Sequence, residues 1–101
     1  PIVPDPTCSV SYDSYVKITW SQSSSSVYGY YIRRSTTSSY SNSISLTRIT
    51  SPSTTTYYDY SATPGTTYYY WVCPIYTYAS STGSYWYYYN EYNRDWGYRA
   101  W

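Results

Sequence analysis

The chain has 101 residues, the length of one domain with a single hydrophobic core. Its formal net charge is +1 and only 11% of its residues are charged, so we expect no nucleic-acid binding and no attraction to acidic surfaces. No apolar run approaches the roughly 20 residues that cross a bilayer, so we expect no membrane insertion either.

The aromatic content is the most unusual property of the composition. The chain contains 20 Tyr and 5 Trp beside 34 Ser and Thr, but no Phe, Met or His. With so few charges, hydroxyl groups must supply most of the solubility.

A proline-rich segment opens the sequence. Pro1, Pro4 and Pro6 deny the backbone the N–H donors that a sheet needs, which favours an extended conformation. We therefore predict that residues 1–7 form a linker or docking arm and that residues 8–101 form the domain.

Alternating patterns then predict a series of short strands. Residues 8–12 read as a short edge strand, and residues 16–20 alternate cleanly with Val16, Ile18 and Trp20 on the core face. The segment 28–34 alternates again, with Tyr30 and Ile32 inward.

Weaker strands follow at residues 44–49 and 54–60. Pro64-Gly65 predicts a type II turn, because proline presets φ and glycine tolerates the positive φ that comes next. The aromatic and β-branched run at residues 66–72 favours a strand. No segment shows helical periodicity with a cap, so we predict an all-β protein.

Segments 16–20, 30–36, 57–72 and 97–100 together resemble a fibronectin type III domain, specifically the repeats of secreted bacterial proteins. The order and spacing match from about residue 6 to the end. The resemblance implies an immunoglobulin-like two-sheet sandwich of about seven strands. It makes Trp20 the core tryptophan of strand B and gives Tyr68 the hydroxyl that ties down the corner before strand F. The predicted core and fold residues are Val16, Ile18, Trp20, Tyr30, Ile32, Tyr57, Tyr68, Tyr70 and Val72.

Two features depart from that family pattern. Residues 76–92 exceed the usual loop between strands F and G, so we predict an enlarged aromatic F–G loop there. The other departure is Cys73, which would face out of strand F whereas Cys8 faces in. Poorly directed Cβ vectors make a Cys8–Cys73 disulfide awkward, so an intrachain bridge, an interchain bridge and free thiols all remain open.

Catalytic chemistry has little support in the sequence. The absence of His excludes nucleophilic triads and imidazole metal sites. Glu91 and Asp95 are the only nearby pair of carboxylates, and they lie in a polar segment that needs no catalysis to explain it. We expect no enzymatic activity, no metal and no cofactor.

The aromatic surplus points instead to contact surfaces. A sandwich core accommodates about ten of the 25 aromatic residues. The others should face outward, and Tyr31, Tyr58 and Tyr60 are among them. Large exposed aromatic patches usually mark an interface, although cross-strand ladders can also cover a sheet without binding anything. The interface candidates are Ile2, Val3, Tyr69, Trp71, Tyr85, Trp86, Tyr87, Tyr88, Tyr89, Trp96 and Trp101.

We expect an extracellular or cell-surface structural module that self-associates into a filament or tandem array. An accessory module that binds carbohydrate or protein through the Tyr/Trp-rich loop is the alternative, and an engineered binder on the same scaffold is a third. The Ser/Thr runs at residues 23–26, 35–39 and 53–56 are possible acceptors of O-linked sugars.

Overall fold

Alternation of apolar and polar side chains produces strands throughout the described part of the chain. A computed structural model describes residues 3–22, 27–79 and 84–101. Its eight strands are β1 (Thr7–Cys8), β2 (Val16–Thr19), β3 (Gly29–Ser35), β4 (Ile44–Ile49), β5 (Thr56–Asp59), β6 (Thr67–Ala79), β7 (Ser84–Tyr87) and β8 (Arg94–Tyr98). A single 3-10 turn, Tyr40–Asn42, is the only helical element in these ranges. Across the same ranges, no helix has the length and apolarity to span a bilayer.

The strands form two antiparallel sheets. One sheet has the order β1-β2-β5, and the other has the order β4-β3-β6 with two further strands on the free edge of β6. On that edge β8 pairs with residues 67–71 of β6, while β7 pairs with residues 75–79. The predicted all-β, two-sheet sandwich is therefore confirmed.

The core lies between the sheets and follows the predicted alternation. Val16 and Ile18 of β2 are fully buried against Tyr30 and Ile32 of β3, with Trp20 packed edge-to-face on Tyr30 at 5.4 Å between ring centroids. The remaining predicted core residues lie there too, with Tyr57 only half-buried at its margin: Tyr57, Tyr68, Tyr70 and Val72.

The turn before β6 has the geometry that Pro64-Gly65 predicts. Gly65 has a φ of 81°, and Thr66 N donates to Thr63 O at 3.2 Å across the turn. The positive φ is what requires glycine here. The Tyr68 hydroxyl accepts a hydrogen bond from Thr63 N at 3.1 Å, which ties this corner to the strand.

The sandwich closes where β1 meets β8. Cys8 N donates to Asp95 Oδ2 at 2.7 Å, and Tyr98 N donates to Ser9 O at 3.0 Å. Gly97 permits this approach, because a Cβ there would lie 2.4 Å from Val16 Cγ1. The two sheets are thus joined along this side by backbone contacts.

The described part of the proline-rich segment, from Val3 onward, lies against its own domain. Pro4 and Pro6 are buried, and Val3 O accepts a hydrogen bond from Asn93 Nδ2 at 2.9 Å. Ile2 is outside the described residues. Prolines suit this position because they bury apolar rings without leaving a backbone N–H unpaired.

Part of the predicted F–G loop is strand. β6 continues through Ala79 and pairs with β7, so residues 76–79 and 84–87 form a hairpin that lengthens the sheet. Pro74 has no N–H to donate, yet β6 passes through it, and its carbonyl accepts a hydrogen bond from Tyr88 N at 3.0 Å.

Two residues predicted to face solvent are buried. Trp71 and Cys73 do point away from the core, as the alternation of β6 requires, yet Trp71 is only 1% exposed and Cys73 is fully buried. Other parts of the chain fold over this outer face and cover them. Trp71 is therefore corrected from an exposed contact residue to a buried one.

The two cysteines do not form a bridge. Cys8 packs at the margin of the core, whereas Cys73 lies on the opposite side of the β3–β6 sheet, and both thiols are free. Of the open alternatives, the intrachain disulfide is excluded by this placement, because the Cβ atoms lie on different faces.

Candidate interaction surfaces

A second, smaller packed layer covers the outer face of the β6 sheet. The edge of the Tyr40 ring meets Trp71 at 5.8 Å between centroids, and Tyr89 stacks on Tyr40 at 4.0 Å with an interplanar angle of 1°. The Trp71 indole Nε1 donates to Glu91 O at 3.0 Å. We call residues 40–42 and 88–93 together the cover.

Arginine side chains hold both halves of the cover in place. Arg33 donates to Ser43 through Nε and Nη2, each at 2.8 Å, and Ser43 Oγ donates to Tyr40 O at 2.6 Å. Arg94 Nη1 donates to Glu91 O at 2.9 Å on the other side. Burial, followed by the neighbouring Cys73 thiol, raises the pKa of Tyr40. These arginines therefore act structurally rather than as a free basic patch.

Beside the cover is a shallow cleft with mixed walls. Tyr31, Arg33, Ser45 and Tyr87 line a volume of about 260 Å³. The Tyr31 and Tyr87 rings meet edge-to-face at 5.0 Å, so two aromatic rings, a guanidinium and a hydroxyl surround one space. Such a combination suits a small polar ligand with an apolar face.

The outer face of the other sheet carries four converging tyrosines, which we call the tyrosine cluster: Tyr12, Tyr15, Tyr58 and Tyr60. Tyr15 is its centre, with ring centroids 5.0 Å from Tyr12, 4.9 Å from Tyr58 and 5.4 Å from Tyr60. Lys17 Nζ lies 6.0 Å from the Tyr58 ring. Burial, and then the three neighbouring phenols, raise the pKa of Tyr15.

A buried ion pair lies at one end of the core and serves stability. Asp59 accepts hydrogen bonds from Arg34 Nη1 at 2.9 Å, from Tyr70 Oη at 2.6 Å and from Ser61. Burial by itself would raise the pKa of Asp59, but these donors outweigh it and hold the pKa below its usual range. The Arg34 guanidinium also lies 4.5 Å from the Tyr68 ring centroid.

The remaining reactive groups do not assemble a catalytic site. Asp95 is bonded to Cys8 N on the inner side of β8, whereas Glu91 is exposed in the cover, so the two carboxylates do not face a common cleft. Burial raises the pKa of the Cys73 thiol to about 12, and burial followed by Asp95 raises the pKa of Cys8. Within residues 3–22, 27–79 and 84–101, no group of three acidic, Cys or His side chains is placed to hold a metal.

The predicted interface residues differ in their exposure to solvent. Trp86 is 63% exposed and Trp101 is 88% exposed, whereas Tyr69 and Val3 are half-buried. The side chain of Tyr85 is outside the described part. The other exposed members are Tyr87, Tyr88, Tyr89 and Trp96.

Sequence reasoning missed the tyrosine cluster as a unit. Tyr58 and Tyr60 were recognisable as outward-facing, and Tyr15 shares the phase of Lys17, opposite to Val16. The missing information was the pairing of β2 with β5, which places Lys17 opposite Tyr58. Strand order of this kind is not encoded in local alternation.

Solved structures with the same fold come from bacterial proteins. No family model and no curated protein matches this sequence. An Fn3-like protein from Clostridium thermocellum is 26% identical with a TM-score of 0.65, over 84% of this chain and 81% of that chain. The chain is thus similar to an Fn3-like domain along nearly its whole length.

Two further similar structures are pectate lyases, which are longer chains. Pectate lyase PelI from Erwinia chrysanthemi, in complex with tetragalacturonic acid, is 23% identical with a TM-score of 0.65 over 83% of this chain. Pectate lyase Pel3 from Pectobacterium carotovorum is 23% identical with a TM-score of 0.63 over 92% of this chain. The chain spans 26% of each lyase chain, and at this identity the likeness concerns the fold alone.

Proposed function

We propose that this domain is a non-catalytic extracellular module, of the type repeated in secreted bacterial proteins, that self-associates through aromatic surfaces on the two opposite faces of its sandwich. One surface is the tyrosine cluster. The other, which we call the hairpin face, comprises three exposed aromatic residues on the outer side of the longer sheet and in the cover: Tyr87, Trp96 and Tyr89. Trp71 takes no part, since it is buried.

The observation that carries this proposal is the exposure of large aromatic rings on both outer faces. Tyr60 is 66% exposed and Trp96 is 48% exposed, and they belong to different sheets. Tyr and Trp bury a large area while losing few rotamers, so they contribute strongly to interfaces. Few charges stand in the way, because charged residues make up only 11% of the chain.

Unlike surfaces on opposite faces favour a head-to-tail contact. In such a contact the tyrosine cluster of one copy meets the hairpin face of the next. The first copy keeps its hairpin face unused, and the second keeps its tyrosine cluster unused. A contact of this type that does not close into a ring produces an open filament.

Complementation between two variants tests the arrangement. Tyr58→Ser with Tyr60→Ser disables the tyrosine cluster, and Tyr87→Ser with Trp96→Ser disables the hairpin face. We expect the unaltered protein to form filaments in electron micrographs and each double variant alone to stay monomeric. An equimolar mixture should form dimers only, because a single intact interface then remains.

Light scattering coupled to size exclusion measures these states. A monomer at high concentration for the unaltered protein would overturn the proposal. Dimers of one double variant alone would instead indicate contacts between like faces. Tyr92→Ser, an exposed tyrosine outside both surfaces, is the matched control and should leave assembly unchanged.

The cleft favours a second candidate function, the binding of an acidic oligosaccharide. Its aromatic walls, Tyr31 and Tyr87, suit the apolar face of a sugar, while Arg33 supplies a positive charge. One pectate lyase of similar fold was solved with an acidic oligosaccharide, which supports a test of that ligand class.

Calorimetric titration with oligogalacturonate and with a neutral oligosaccharide of equal length tests the second function. We expect binding of the acidic ligand only, with Tyr31→Ala abolishing it and Tyr92→Ala leaving it intact. Equal heats for both ligands, or none, would remove this candidate.

A further inference from the structure

The tyrosine cluster has a geometry that suits covalent chemistry as well as contact. Tyr15 lies within 5.4 Å, between ring centroids, of each of its three neighbours. Tyr58 and Tyr60 extend from one end of β5, and Tyr15 immediately precedes β2, which pairs with β5. The strand pairing therefore holds phenols from distant parts of the sequence side by side at a solvent-exposed face.

We propose that the tyrosine cluster is a site of oxidative cross-linking, where Tyr15 and Tyr58 of one molecule form a dityrosine bond when a haem peroxidase supplies the oxidising equivalents from hydrogen peroxide. This inference does not depend on self-association, because both rings belong to the same chain.

The reaction balances as a two-electron oxidation. Each phenol loses one electron and its hydroxyl proton to give a tyrosyl radical. The two radicals form a carbon–carbon bond between ring positions ortho to the hydroxyls, and each ring regains aromaticity as its ortho hydrogen moves to oxygen. Hydrogen peroxide takes up the two electrons and two protons and becomes two waters.

Proximity favours this bond. The Tyr15 and Tyr58 rings meet edge-to-face, with an interplanar angle of 81° and 4.9 Å between centroids, the shortest of the three centroid distances that Tyr15 makes in the cluster. Tyr58 is 40% exposed, so its ring has room to rotate toward the Tyr15 ring.

Oxidisable side chains other than Tyr and Trp are scarce in this chain. Met and His are absent. The thiolate is the reactive form of cysteine, and burial that raises the pKa of Cys73 and Cys8 keeps both as thiols at neutral pH. Tyr40 and Tyr89 also stack closely, but the cover buries the Tyr40 hydroxyl. Tyr31 and Tyr87 also lie 5.0 Å apart, between ring centroids, but their coupling would join residues 18–33 to 49–94 and is therefore distinguished by its mass.

Peptide mapping of the oxidised monomer tests the proposal. Trypsin cuts after Lys17 and Arg48, so the predicted bond joins residues 1–17 to residues 49–94, at the summed mass less two hydrogens. Coupling of Tyr40 to Tyr89 would instead join residues 35–48 to 49–94. We expect the first product, together with dityrosine fluorescence, after treatment with peroxidase and hydrogen peroxide.

Conservative variants make the assignment falsifiable without unfolding the protein. Tyr15→Phe keeps the ring and removes the phenol, so the product joining 1–17 to 49–94 should be lost. In the unaltered protein, fragmentation of that product should locate the bond at Tyr58. Tyr92→Phe should leave the yield unchanged. Persistence of the product in Tyr15→Phe overturns the proposal, as does a dominant product joining 35–48 to 49–94.

Isotope mixing separates this reaction from association. Equal amounts of unlabelled and nitrogen-15-labelled protein, oxidised together, should give only light–light and heavy–heavy products if the bond forms within one molecule. Mixed products would refute the intramolecular bond. Because both rings belong to one chain, the cross-link can form even if the protein does not assemble into filaments.

Discussion

Asp59 holds its charge almost entirely out of water, and that charge is tolerated because donors surround it. Arg34, Tyr70 and Ser61 satisfy the carboxylate, and the pKa of Asp59 lies below its usual range in the folded state. A folded-state pKa that is depressed contributes stability above the unfolded pKa of about 3.9. This contribution is lost as the pH falls through the lower, folded-state value.

Asp59→Asn is therefore expected to destabilise the domain at neutral pH by about 3 kcal/mol, because Arg34 is left without its partner in a mostly buried position. The variant should also lose stability less steeply than the unaltered protein as the pH is lowered below about 4. Urea unfolding across a pH series measures both effects. Asp13→Asn, at an exposed carboxylate, is the control, and an unchanged acid slope in Asp59→Asn would contradict the expectation.

At the scale of elements, the cover is a small packed unit with its own stability. It adds one aromatic stack and one indole hydrogen bond over Trp71, but it rests on the main sheet without contributing strands to it. Units with few buried contacts open locally before the whole domain unfolds. The cover should therefore open at lower free energy than the core.

Tyr89→Ala removes the ring that stacks on Tyr40, a contact worth about 1 kcal/mol. We expect faster solvent exchange of the Trp71 indole proton, because local opening becomes less costly. Nuclear magnetic resonance measures that exchange directly. Tyr92→Ala lies in the same segment without this stack, so equal acceleration in both variants would argue against the cover as the protecting unit.

The local sequence pattern predicted those elements whose conformation depends on residues close to one another in the chain. Alternation placed Val16 and Ile18 in the core, and Pro64-Gly65 predicted its turn because the positive φ is a property of the residue pair. The continuation of β6 to Ala79, where the sequence predicted a loop from residue 76, depends on pairing with residues 84–87, which local alternation does not reveal. The burial of Trp71 likewise depends on Tyr40 and Glu91, which no periodicity connects to it.

For the whole molecule, the near-neutral charge and the aromatic faces define how copies should attract one another. With a net charge of +1, electrostatic steering between copies is weak. Burial of aromatic area then supplies the attraction, and this driving force weakens on cooling.

We accordingly expect self-association to be nearly insensitive to sodium chloride above physiological ionic strength and to weaken on cooling. Sedimentation velocity at several salt concentrations and temperatures provides the measurement. A steep loss of association with salt would mean that charged groups such as Lys17 or Arg48 dominate the contact, and the aromatic mechanism would be wrong.

The five tryptophans differ in solvent exposure, partly because of the cover, so their fluorescence can report which part of the protein has opened. Trp20 and Trp71 are shielded by different layers, whereas Trp86, Trp96 and Trp101 meet solvent. A water-soluble quencher such as iodide should extinguish the emission of the exposed three first. The emission of Trp71 should become quenched when the cover opens, and that of Trp20 only when the whole sandwich unfolds. One fluorescence titration therefore distinguishes opening of the cover from global unfolding.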